Sequence, residues 1–151
     1  MLMRLREGSE SDLPDLMRLA HEMLESSEFR HFKPNSSKIS NLFEFLLGDE
    51  DTLLLVATDG EWASGFFAAE IVPFIFSDEL LAVDIAMFSS SKSSKNLPIS
   101  KISKAYLKWA KHRGASRVIL SQSTGVEIEK YSRILSKLGF GRLGSIYGFD
   151  F

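Results

Sequence analysis

The chain of 151 residues is 44% hydrophobic and 25% charged, the composition of one ordinary globular domain. It contains no cysteine, which excludes disulfides, thiolate metal ligands and a cysteine nucleophile, and no apolar run approaches the roughly 20 residues that cross a bilayer. Net charge is −2, yet residues 1–80 carry 6 Lys/Arg against 16 Asp/Glu while residues 81–151 carry 12 against 4; the basic half suits an anionic ligand, or the two halves simply attract each other.

The opening MLMRLREGSESD lacks the apolar core of a signal peptide, so a cytoplasmic protein is the simplest expectation. Met3–Glu7 is short and alternating, like an edge strand. Asp12–Glu25 reads as a helix, with Ser11 or Asp12 as cap, Pro14 in the first turn, and Leu13, Leu16, Met17, Ala20, Met23 and Leu24 on one face. Residues 29–35, FRHFKPN, form an aromatic loop, and Ser36–Leu47 a second helix stopped by Gly48. Leu53–Thr58 is a strand, Asp59-Gly60 a hairpin turn, and Glu61–Val72 its partner with a bulge near Gly65. PFIFSDE connects to Leu80–Phe88, an apolar strand that reads as central.

The loop FSSSKSSKNLPIS, residues 88–100, leads into a helix over Pro98–His112. Ile99, Ile102, Tyr106, Trp109 and Ala110 share one face of it, and Lys101, Lys104, Lys108 and Lys111 the other. A basic helix face can bind nucleic acid, but this one has no interleaved exposed aromatics, so a solvated face is the better reading. Arg117–Ser121 is a buried-type strand, and Glu127–Leu138 a helix stopped by Gly139. The closing GFGRLGSIYGFDF reads as two short strands around Gly144. The order β-α-α-β-β-β-α-β-α-β-β, with no linker or repeat, describes one α/β domain over residues 1–151 whose mixed sheet contains at least one right-handed parallel crossover.

Several segments are similar to one family. The hairpin ATDGEWASGFF, the helix-to-strand stretch KWAKHRGASRVIL, the helix end KYSRILSKLGF and the last segment SIYGFDF resemble, in that order, pieces of the GNAT family of N-acetyltransferases. The aromatic loop and the STGV after the fifth strand look most like the acetyltransferase-like proteins of bacteriophages, which would place the chain in a host cytoplasm or a virion. The resemblance implies the GNAT (acyl-CoA N-acyltransferase) fold, whose fourth and fifth strands splay apart around acetyl-CoA. The pantetheine arm would pair with strand four, and the pyrophosphate would sit on the N-terminus of the third helix, where free N–H groups and the helix dipole favour an anion. Homodimers paired through the terminal strands are also common in that family.

Aligned from Trp109, the family's Arg-Gly-x-Gly-x-Gly/Ala falls on Ser94-Lys95-Asn96-Leu97-Pro98-Ile99. Neither the arginine nor any glycine is present. Leu97 and Ile99 are bulky, and Pro98 removes an N–H. Lys92 and Lys95 offer charge in compensation and the serines offer hydroxyls. The expected cofactor-binding residues are Met87, Phe88, Ser89, Lys92, Lys95, Asn96, Leu97, Ile99, Ser100, Ser121 and Ser123.

Acetyl transfer to an amine needs a base, an oxyanion donor and an acid for the leaving thiolate. Asp84, the one charge within LLAVDIAMF, is the candidate base, or else it faces solvent or pairs with a cation. The family's acidic tyrosine position is Leu135 here; Tyr131, one turn earlier, is the candidate acid, with core packing as its alternative role. Backbone N–H groups near Met87 and Phe88 would face the oxyanion. Phe29, His31, Phe32, Thr124 and Tyr147 are expected at the acceptor site, although Thr124 equally suits a helix cap and His31 is a lone surface histidine. No His/Asp/Glu spacing suits a metal, and no Walker, Rossmann or GxSxG pattern occurs. Two functions are consistent with these residues: an acetyl-CoA-dependent N-acetyltransferase acting by direct attack of an amine on the thioester, or a GNAT-fold binding module that has lost catalysis. The acceptor could be a small molecule or a protein amine, with nucleic acid expected only as a modified base.

Overall fold

A computed structural model describes residues 1–121 and 128–151. Its strands are β1 (Arg4–Glu7), β2 (Thr52–Asp59), β3 (Trp62–Pro73), β4 (Leu80–Ser89) and β5 (Ala115–Ile119), in that spatial order. Its helices are α1 (Leu13–Ser26), α2 (Ser36–Gly48), α3 (Ile99–His112) and α4 (Ile128–Lys137). The first four strands are antiparallel neighbours, while β5 lies parallel to β4 after the α3 crossover.

Alternation along β2 and β3 divides the core into two layers. Leu54, Val56, Phe66 and Ala68 face α1 and α2. Leu55, Ala57, Phe67 and Ala69 face α3, whose Ile99, Ile102, Tyr106 and Ala110 are all buried. Leu16, Leu19 and Ala20 make the buried stripe of α1, and Asn35 caps α2 by accepting a hydrogen bond from the Lys38 N–H at 3.0 Å. Asp12, just before α1, anchors the edge strand by accepting from both guanidinium nitrogens of Arg6 at 2.7 and 2.6 Å.

Two irregularities in the sheet shape the surroundings of β4. Between Ala57 and Thr58 the β2 register skips, pairing Ala57 with Gly65 and Thr58 with Ala63. A Cβ at Gly65 would lie 2.7 Å from Leu97 Cδ2 and 2.9 Å from the Phe88 carbonyl oxygen, so the glycine is what lets the segment before α3 pack down on the sheet. In β4 the register with β3 runs Ala68–Ala86, then Ala69–Asp84, which leaves Ile85 as the extra residue of a bulge.

The C-terminal segment differs from expectation. Residues 138–151 form no strand. Leu143, Ile146, Tyr147, Phe149 and Phe151 are 68%, 78%, 90%, 82% and 118% exposed. The alternation that reads as strand is real, but an extended segment gains little until another strand's edge satisfies its backbone, and none among the described residues does.

Candidate active site

β4 and β5 share only a short ladder. Its last pair is Val83 with Ile119, beyond which, among the described residues, Asp84 to Ser89 run on with β3 on one side only. β5 ends with that pair while β4 continues, and the opening beside β4 past the end of β5 is the wedge, with Asp84 the first residue in it. The bulge leaves Asp84 opposite Ala69, on the α3 side of the sheet. Its carboxylate crosses the gap, accepting from the Ser121 N–H at 2.9 Å and from Ser121 Oγ at 3.1 and 3.0 Å. Burial pushes the Asp84 carboxyl above the ordinary aspartate range, and the Ser121 hydrogen bonds only partly offset it. Beneath the gap the fully buried Tyr106 donates its hydroxyl to the Ile119 carbonyl at 2.9 Å. Burial first, and the charge of Asp84 second, push that phenol up, so it stays protonated.

The loop from β4 to α3 is wired differently. Glu22, on α1, accepts from Ser90 Oγ at 3.0 and 2.9 Å, from the Ser91 N–H at 3.0 Å and from Ser91 Oγ at 3.2 Å. Burial pushes the Glu22 carboxyl up, but the hydrogen bonds from Ser90 and Ser91 outweigh it and hold it below the usual range. Asp59, at the end of β2, accepts from Ser93 Oγ at 2.7 Å and pairs with Lys95 Nζ at 2.9 Å. Its carboxyl is lowered by the Lys95 hydrogen bond first and Ser93 second. The Asn96 backbone is taken by the first residues of the chain, its N–H donating to the Met1 carbonyl at 3.1 Å and its carbonyl accepting from Met3 at 3.0 Å. Leu97 and Ile99 are core residues, 6% and 5% exposed. The Ile99 N–H already donates to the Leu97 carbonyl at 2.9 Å. That leaves Lys92 at the surface, and the N–H groups of Ser100 and Lys101, which an α-helix does not pair in its first turn.

A five-stranded mixed sheet flanked by four helices is a shape that many solved proteins share. The chain superposes on a predicted acetyltransferase with acetyl-CoA from Clostridium acetobutylicum with a TM-score of 0.72 at 15% identity, over 99% of this chain and 96% of that one. The fold is that of the GNAT acetyltransferases. Glucosamine-6-phosphate N-acetyltransferase from Arabidopsis thaliana matches with a TM-score of 0.71 at 15% identity, over 100% and 99% of the two chains. A transcriptional regulator from Bacillus halodurans C-125 gives 0.71 at 20% identity, over 99% of each. No family model and no curated protein sequence matches, so the likeness is one of shape rather than of sequence.

The remaining expected residues of the GNAT fold are scattered. Met87 and Phe88 flank the wedge on β4, half-buried, with Met87 turned to the α3 side and Phe88 to the α1–α2 side. Ser89 pairs with Gly65 at the end of β4. Tyr131 packs with Ile134 against the α3-side core, beside buried Leu135. Phe29 and Phe32 stack loosely with ring centroids 5.9 Å apart, and His31 between them is exposed. Tyr147 is exposed on the C-terminal segment. Ser123 and Thr124 lie outside the described residues. On the far face of β4 from Asp84, a cavity of about 270 Å³ lies between α1, α2 and the sheet, with Met23, Phe32, Leu42, Phe66, Ile85 and Ala86 among its walls. Among the described residues no group of His, Asp and Glu could hold a metal, and no helix is long and apolar enough to cross a membrane.

Proposed function

We propose that the chain is an acetyl-CoA-dependent N-acetyltransferase that passes the acetyl group to an amine by direct attack. The observation that carries this reading is the parting of β4 and β5 directly at Asp84. The exposed edge of Asp84 to Ser89 offers backbone groups to an extended ligand, as an added strand would use them. Acetyl-CoA supplies an activated thioester carbonyl. At that carbonyl the backbone N–H near Met87 or Phe88 would face the developing oxyanion. Asp84, whose raised pKa makes it a better proton acceptor than a surface aspartate, would take the proton from the attacking nitrogen. As the C–S bond breaks, Tyr131 would return a proton to the thiolate. The phosphates find a poorer fit, because the loop serines and Lys95 are already committed; Lys92 and the Ser100 and Lys101 N–H groups would hold them.

The same commitment favours a second reading, a non-catalytic module of the kind the phage-like resemblance suggests. Thermal denaturation with acetyl-CoA separates the two. Binding should stabilise the fold by about 2.7 kcal/mol at a concentration 100-fold above Kd. No shift at millimolar acetyl-CoA would reject the enzyme and leave the module.

We also infer that two copies pair through the C-terminal segment. Tyr147, Phe149 and Phe151 are exposed together, and β5 ends the sheet with its outer edge unpaired among the described residues. Aromatic side chains bury about 150–250 Å² each, so exchange of this segment between two copies reaches the roughly 1,000 Å² of a stable interface. Sedimentation should show a dimer for the full chain and a monomer for a chain ending at Gly139; a monomeric full chain would reject the pairing.

A further inference from the structure

We propose that Ser121 and Tyr106 are positioning residues for Asp84, holding its carboxyl in the wedge whether or not it carries a proton. Their service to a catalytic base rests on the acetyltransferase reading; the anchoring itself does not.

The three groups come from three elements. Asp84 is on β4, Tyr106 on α3, and Ser121 two residues beyond the end of β5. Ser121 holds Asp84 through two groups of different kind. Its N–H donates to Oδ1 at 2.9 Å, and its Oγ stands 3.1 Å from Oδ1 and 3.0 Å from Oδ2. The N–H can only donate, so Oδ1 remains an acceptor in either state. The hydroxyl has one proton and two lone pairs, and it reaches both oxygens. It donates to the ionised carboxylate. When an amine gives up a proton, its N–H bond breaks, the electron pair stays on nitrogen, and an O–H forms at Oδ2. The hydroxyl then accepts from that O–H while its own proton is directed at Oδ1. The carboxyl therefore keeps its place before and after the proton arrives.

Nothing else on the page competes for this task. Among the described residues no ion pair reaches Asp84, and β3 sets only Ala69 opposite it. The titratable side chains of the core on that side of the sheet are the phenols of Tyr106 and Tyr131, which are neutral in the acid range.

Tyr106 supplies the anchor for Ser121. After Ile119, β5 has no ladder partner among the described residues, and such a strand end opens readily. The buried Tyr106 hydroxyl donates to the Ile119 carbonyl at 2.9 Å, which fixes the chain two residues before Ser121. The ring is itself clamped, with its centroid 4.9 Å from that of Phe67 and 6.1 Å from that of Trp109. The position of the Asp84 carboxyl is thus set from the core.

The test follows the Asp84 side-chain carboxyl by carbon-13 NMR in the free chain, titrated across the acid range, with Asp84→Asn identifying the signal. Hydrogen bonds to an ionised group are roughly twice as strong as those between neutral groups, so loss of the hydroxyl costs the carboxylate more than the acid. Asp84 should become a several-fold weaker acid in Ser121→Ala, its midpoint moving to higher pH. Ser121→Thr, which keeps the hydroxyl, should restore the wild-type midpoint. Tyr106→Phe should move the midpoint in the same direction as Ser121→Ala and by less, and should add less in the Ser121→Ala background than it does alone, because it acts through Ser121. An unmoved midpoint in Ser121→Ala, or a Ser121→Thr midpoint that follows Ser121→Ala, would overturn the proposal. Full addition of the two shifts would overturn the part given to Tyr106. If Tyr106→Phe fails to fold, the alanine and threonine variants of Ser121 decide. These titrations need no acetyl-CoA, so they stand apart from the denaturation test. The expected shifts without acetyl-CoA binding would support the anchored carboxyl and reject its service as a base.

Discussion

The wedge and the loop beyond it leave the same strand, yet they treat their polar groups in opposite ways. In the wedge, β4 runs on past the end of β5 from Asp84 onward, and its backbone edge is unpaired among the described residues. In the loop, two carboxylates from distant elements occupy the serine hydroxyls and the Lys95 ammonium. A backbone edge keeps its hydrogen-bonding pattern through nearly any substitution except proline. A cradle built of side chains or glycines does not. In this GNAT fold the wedge offers backbone groups, while the side chains of the loop are held from within the chain.

The largest effect expected is on Asp84. Asp84→Asn keeps an oxygen to accept from Ser121, so the wedge should retain its shape while the proton acceptor is lost. Turnover should fall by about 100- to 10,000-fold, the range of general-base catalysis, with acetyl-CoA affinity little changed. Steady-state rates alongside direct binding would show this, and unchanged turnover would remove Asp84 from the mechanism while sparing the fold.

Glu22 tests the other side of the comparison. Glu22→Ala strands the buried Ser90 hydroxyl and should cost about 1–3 kcal/mol of stability, measured by denaturant unfolding. If the loop's donors are merely occupied rather than misplaced, freeing them should also tighten acetyl-CoA severalfold. Weaker binding in the variant would mean that Glu22 holds the loop in its binding shape. A smaller effect is expected at Lys92, exposed and near Glu22. Lys92→Ala should weaken acetyl-CoA by no more than about tenfold, and less at high salt, because a surface charge is screened within a Debye length of about 8–10 Å.

Most of the sheet and all four helices are legible in the sequence because their apolar residues repeat at the periods of strand and helix. Asp84 is legible as a lone charge in an apolar strand. Its partner is less so, since Ser121 lies 37 residues on and meets it only because the strands part. The loop's wiring is not legible. Glu22 and Asp59 lie 68 and 34 residues from the serines they hold and read as ordinary surface carboxylates. Leu97 and Ile99 look like bulky intruders in a phosphate loop, but Gly65 across the sheet makes room for Leu97. The C-terminal alternation marks extended chain, whereas the neighbour such a segment needs is not visible in one copy's sequence.

The smallest effect expected, and the one that sets wedge against loop most directly, is in the dependence of stability on pH. The folded state raises the Asp84 carboxyl, so between the ordinary aspartate value of about 3.9 and the raised one the native chain holds more proton than the unfolded chain. Stability from this group is full below that window and is lost as pH rises through it. Glu22 and Asp59 are lowered, so their contribution is present above the ordinary carboxylate range and is lost as pH falls. The two regions should therefore bend the stability curve in opposite directions. Asp84→Asn should flatten the decline on the alkaline side of the window, and Glu22→Gln the decline on the acid side. Unfolding curves taken across the acid range separate the two limbs. If Asp84→Asn left the curve unchanged, its carboxylate would be solvated in the folded chain, the wedge would be wetter than its packing indicates, and the case for a tuned base within it would fall.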